Sequence, residues 1–146
     1  MQKQIKYLNN FVKLEIINEG QYLLYTISKN DQLSIDVYID DVMERLEAWE
    51  QGDLYILHDM SADNVSLTPY FQRRLNEVAA YLRSSEKQGY SAVILPDTFA
   101  SALISLFAQL FNRKNGRFSQ RIFTDLDKGK EWIAENIKER AKTRAR

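Results

Sequence analysis

Two apolar runs, Leu54-Tyr55-Ile56-Leu57 and Ala92-Val93-Ile94-Leu95, most constrain what this chain can form. Neither alternates between a wet and a dry side, so each reads as a short strand buried on both faces. Such strands need helices above and below them, and the flanking segments supply these. From Ser34 the residues Ile35, Tyr38, Ile39, Val42, Met43, Leu46 and Trp49 recur at steps of three and four, the stripe of an amphipathic helix that Gly52 is expected to end. After a polar loop over 58–68, Thr68 and Pro69 have the residue types of an N-cap and a first helical position. Phe71, Leu75, Val78, Ala79 and Leu82 then form the inward stripe of a second helix, expected to end near Gln88-Gly89.

The chain before and after these units completes the pattern. In Phe11–Ile17 the residues Val12, Leu14 and Ile16 alternate with Lys13 and Glu15, and Tyr22–Ile27 follows across a short turn of Asn18, Glu19 and Gly20. That spacing predicts an antiparallel hairpin. A third helix is expected over 98–112, a turn at Asn115-Gly116, a last strand around Phe118–Phe123, and a final helix capped by Thr124 or Asp125 that buries Leu126, Trp132, Ile133 and Ile137. The order β-β-α-β-α-β-α-β-α predicts one α/β domain over 1–146, its sheet mostly parallel with an N-terminal hairpin. Residues 1–10 and 139–146 are expected to be flexible.

Composition excludes several function classes. Lysine plus arginine and aspartate plus glutamate number 20 each, so no overall field attracts nucleic acid. The chain has no cysteine, which removes disulfides, thiolate metal sites and cysteine nucleophiles. His58 is the only histidine, too few for a two-histidine zinc motif. His58 and Asp59 are neighbours at a strand end, where successive side chains point to opposite faces, so they are poorly placed as a base and its orienter. No Gly-x-Ser-x-Gly turn presents Ser61, and no glycine-rich phosphate loop occurs. The expectation is a protein with no catalytic, cofactor or metal site. Without an apolar run of ~20 residues, or a signal peptide in Met1–Asn10, it is expected in the cytoplasm and not across a membrane.

Two local sequences carry a family resemblance. Asp59-Met60-Ser61, closing the strand that starts at Leu54, looks like the Asp-Leu-Ser at the corresponding strand end of STAS domains, the anti-sigma-factor antagonists typified by SpoIIAA. The segment Phe123-Thr124-Asp125-Leu126-Asp127-Lys128-Gly129-Lys130-Glu131-Trp132-Ile133 is similar to the phenylalanine, acidic cap and Trp-Leu ending of the lipid-associated SpoIIAA-like branch. The resemblance implies a STAS fold and a non-catalytic regulatory or protein-interaction module. In switchable members of that family an Asp-Ser-Ser-Gly sequence opens the helix after this loop, and a kinase modifies its serine. Here Ser66-Leu67-Thr68-Pro69-Tyr70 stands there instead, with Thr68 at the switch position. Asp53–Met60 also superficially resembles the phosphoacceptor strand of a response-regulator receiver. The acidic pair such a domain uses to hold magnesium is replaced by Asn18 and Glu19.

Ligands of open α/β sheets gather beyond the carboxyl ends of the parallel strands. That rule makes the loop with Asp59, Ser61, Ser66 and Thr68 the candidate interaction site, with Pro96–Thr98 beside it. A second candidate is the helix over 98–112, where Phe99, Leu103, Leu106 and Leu110 form a core stripe. Ile104, Phe107 and Phe111 extend it into a wider apolar face, suited to a homodimer seam or a lipid. The expected partner is therefore another protein or a second copy. The alternative is a carrier or sensor of an apolar small molecule such as a lipid.

Overall fold

The computed structural model describes residues 2–50, 52–96, 114–115 and 117–144. The alternating residues of β2 (Val12–Ile17) and β3 (Tyr22–Ile27) pair antiparallel, joined by a 3-10 turn at Asn18–Gly20. In that turn Asn18 and Glu19 both take left-handed φ angles, 50° and 57°. Against the expectation of a loose N-terminus, Lys3–Asn9 forms β1, antiparallel to β2 at the edge of the sheet. Its short alternation, Ile5 and Tyr7 against Gln4 and Lys6, gives no burial signal because residues 3–7 are exposed.

Beyond the hairpin the sheet becomes parallel. Asp31 caps α1 (Gln32–Ala48) by accepting a hydrogen bond from the Ser34 N–H at 2.8 Å. The helix ends four residues before Gly52, which instead turns the chain into β4 (Asp53–Asp59) at φ 77°. Helix α2 (Pro69–Ser84) follows, then β5 (Gln88–Ile94); Gln88-Gly89 thus opens a strand rather than ending a helix. Two further strands, β6 (Lys114–Asn115) and β7 (Arg117–Phe123), precede α3 (Leu126–Arg144). Of the two expected caps for α3 it is Asp125 that serves: its Oδ1 accepts from Asp127 N–H at 2.8 Å, and its carbonyl from Gly129 N–H. The strand order is β1-β2-β3-β4-β5-β7-β6, with β3-β4, β4-β5 and β5-β7 parallel and the outer pairs antiparallel. This is an α/β chain with a mixed sheet. The helix expected over 98–112 lies outside the described residues.

Helices α1 and α2 cover one face of the sheet. Val12, Leu14, Tyr25, Ile56, Val93 and Phe118 from the strands meet Tyr38, Val42, Leu46, Phe71, Leu75 and Leu82 there. Helix α3 covers the other face over β4, β5 and β7, where Ile133 joins Tyr55, Leu57 and Ala92. Tyr55 and Tyr90 stack with centroids 5.5 Å apart, and Trp132 meets Tyr90 edge-on. Gly129 lets α3 sit low on this face: a Cβ there would come within 2.5 Å of Ile94 Cδ1. Arg140, near the end of α3, pairs with the almost fully buried carboxylate of Asp53 at 2.7 Å, tying the helix to the amino end of β4.

Candidate functional site

The parallel strands β3, β4 and β5 all run out toward the same end of the sheet. Strand β4 leaves through Met60, whose N–H still bonds the Ile94 carbonyl at 2.9 Å, so the ladder reaches one residue past the strand. Asp59 Oδ1 then accepts hydrogen bonds from both the N–H (3.0 Å) and the hydroxyl (2.5 Å) of Ser61. This is a local aspartate turn, and it holds the Ser61 hydroxyl against a carboxylate rather than near His58. A further turn, closed by Val65 N–H on the Ala62 carbonyl, drops the Val65 side chain into the core. Asp63, Asn64 and Ser66 remain exposed on the outside of the loop.

The next link comes from a residue not marked out by its sequence. Asn30, in the loop after β3, is buried, and its side chain bonds the Ser66 backbone on both sides. Its Oδ1 accepts from the Ser66 N–H at 3.1 Å, and its Nδ2 donates to the Ser66 carbonyl. An amide side chain thereby does what a neighbouring strand would do, and fixes the two loops to each other. Two residues later Thr68 caps α2, its Oγ1 accepting from the Phe71 N–H at 3.1 Å, with Pro69 at the first helical position as expected. The first turn of α2 is also held to α1. The Tyr70 hydroxyl donates to Asp36, and Arg74 bridges Asp36, Asp40 and Glu77.

Of the candidate residues, Asp59, Ser61, Ser66 and Thr68 thus lie in one short, heavily bonded connection. Ser66 offers an exposed side chain, whereas Thr68 and Asp59 are occupied by the backbone. Pro96 is buried beside them, while residues 97 and 98 lie outside the described residues. So do Ile104, Phe107 and Phe111. A local signal for Asn30 was present only in part. The polar run Ser28-Lys29-Asn30-Asp31 marks a loop, but nothing in it says which side chain turns inward.

Beneath the loop, His58 and Asp59 separate as strand alternation requires. His58 points into the face covered by α1, its Nδ1 2.5 Å from the Tyr38 hydroxyl and its ring parallel to that of Tyr25 at 5.8 Å. Burial lowers its pKa from 6.5 to about 3, so the ring is neutral at physiological pH. Tyr25 is raised well above its ordinary value, by burial first and then by its hydrogen bond to Asp41 at 2.6 Å. A cavity of about 20 Å³ lies between Tyr38, His58, Met60, Leu75 and Gln120, the room of a single water molecule. Among the described residues no group of three or more His, Asp or Glu side chains is placed to hold a metal ion. No helix of the described residues is long and apolar enough to cross a membrane. Compared with protein-family models, curated proteins and solved structures, the chain matches none.

Proposed function

We propose that the chain is a regulatory or protein-interaction module of STAS type, and that a protein partner docks on the loop 59–68 and the first turn of α2. The Asn30–Ser66 clamp carries this reading. A plain connection needs no buried amide to hold it, and holding it costs the conformational freedom of two loops. A loop fixed before its partner arrives loses less entropy on binding, which favours recognition. Asp63, Asn64 and Ser66 supply hydrogen-bonding groups on its outer side. The arrangement of a β-hairpin leading into parallel strands, with a capped helix after the loop, also supports the STAS resemblance. An apolar-ligand carrier has less support. Among the described residues the enclosed apolar cavity, of about 20 Å³, is far below the ~300 Å³ of ordinary ligand pockets. The larger hollows among those residues are open and lined mainly by polar and charged side chains.

The test is a comparative pull-down from native cell extract. The unaltered chain and a Glu86→Arg variant, changed at the opposite end, should retain the same protein, and a folded Ser66→Arg variant should lose it. Asn30→Ala should weaken retention while leaving the circular dichroism spectrum unchanged. Equal retention by all four, or retention of nothing by the unaltered chain, overturns the assignment.

A further inference from the structure

The outer edge of β1 presents a row of backbone groups whose geometry selects one partner. In an antiparallel ladder, residues alternate between bonding the neighbouring strand and pointing their N–H and C=O away from it. The Asn18 N–H bonds the Gln2 carbonyl, and the register pairs Gln4 with Ile16 and Lys6 with Leu14, so these even-numbered residues bond β2. The β2–β3 pair agrees: the Ser28 N–H bonds the Phe11 carbonyl, so Lys13, Glu15 and Ile17 bond β3 and leave Leu14 and Ile16 to β1. Lys3, Ile5 and Tyr7 therefore direct their backbone groups outward. Their side chains share the face opposite α1 and α2, where Ile5 is 42 % and Tyr7 73 % exposed.

We propose that this edge pairs with the same edge of a second copy, antiparallel about a two-fold axis at Ile5, so that two sheets become one. Self-pairing is the symmetric solution for an edge of this kind, and the charges choose the register. With Ile5 facing Ile5 of the second copy, Lys3 lies opposite Tyr7 and Gln4 opposite Lys6, so every lysine meets an uncharged residue. The ammonium of Lys3 reaches the tyrosine ring, a favourable contact, while its Glu15 ion pair at 3.1 Å lies on the same face. Moving the axis to Lys6 sets the two Lys6 side chains directly against each other, which is unfavourable. Moving it to Gln4 leaves Tyr7 without an opposite residue in the strand. Only the axis at Ile5 uses all three outward residues without a like-charge pair. The contact is small beside the ~1,000 Å² of a lasting interface, so the dimer dissociates on dilution.

Light scattering from low micromolar to millimolar protein reads the association, and the lack of native cysteine makes the register readable. The Ile5→Cys variant, treated with a short bis-maleimide that adds one thiol at each end, should be trapped as a covalent dimer. Lys3→Cys should not, because the two introduced thiols are offset by four residues, about 14 Å. Ile5→Pro removes only an outward N–H and should abolish association while leaving the fold intact. Ile5→Lys, which sets two like charges on the axis, should do the same if the proline variant fails to fold. A monomer at every concentration, a dimer indifferent to Ile5→Lys, or trapping that favours Lys3→Cys overturns the proposal.

Discussion

The two ends of the parallel strands are held by different means. At the carboxyl ends of β3, β4 and β5 the loops are secured by short side chains bonding backbone: Asn30 on Ser66, Asp59 on Ser61 and Thr68 on Phe71. At the amino ends the fastening is done by long cations and close packing. Lys87 reaches the carbonyls of Glu47 and Trp49 at the end of α1, Arg140 reaches Asp53, and β5 approaches β4 closely at Gly89. A short side chain has few rotamers, so a bond it makes fixes a loop's shape; a lysine or arginine can slide and still keep its partner. One end is built for a defined outline and the other for cohesion, which fits the docking proposed at the first.

Each end can be broken separately. The largest effect is expected at the carboxyl end of β4 under acid. Because His58 titrates near 3 when folded and near 6.5 when unfolded, the unfolded chain holds more protons between those values. Stability at this site is therefore fully present above about pH 6.5 and falls as pH drops, by about 1.4 kcal/mol per unit and about 4 kcal/mol in all at pH 3.5. Urea melts of the wild type and His58→Gln at neutral and acid pH should differ by that amount in their pH dependence; parallel curves would refute it.

At the amino end, Gly89→Ala should be next in size. A Cβ there would stand 1.9 Å from the Leu54 carbonyl oxygen and 2.8 Å from the Phe118 ring, so β4 and β5 must part. A loss of about 3 kcal/mol is expected, the upper range of overpacking, and a melting temperature within a degree or two of wild type would exclude this strain. The smallest pair returns to the contrast itself. Thr68→Ala should cost about 1 kcal/mol, with Thr68→Asp near wild type because aspartate also caps. Lys87→Met should cost about 0.5 kcal/mol, the scale of a cation at a helix end. If Lys87→Met proves the costlier in thermal melts, the cation fixes one geometry rather than sliding, and the contrast between the two ends fails.

What the sequence disclosed follows the range of the forces involved. Helix α2 and its cap were legible because Thr68, Pro69 and the Phe71–Leu75–Leu82 stripe act within a few residues. Strands β2 and β3 and helix α1 announced themselves by periodicity for the same reason, and β4 by its unbroken apolar run. Strand β1 was not legible, since a solvated edge carries no burial pattern. The first half of β5 was hidden because Gln88-Gly89-Tyr90 answers to neighbours distant in sequence, the Leu54 backbone and Trp132. Within the site, Asp59 and Ser61 lie where the loop was expected. Asn30 and the Tyr25–Tyr38–His58 set depend on contacts made only after the sheet has formed.

The Asn30–Ser66 clamp joins positions 36 residues apart. It can close only after the β3–α1–β4 crossover has brought the two loops side by side, so it is expected to form late. The stability it adds then resides in the unfolding rate and leaves the folding rate nearly unchanged. Partial opening at this end can occur while the sheet stays intact. Removing its two amide hydrogen bonds is thus expected to shorten the life of the loop's shape before it touches the core.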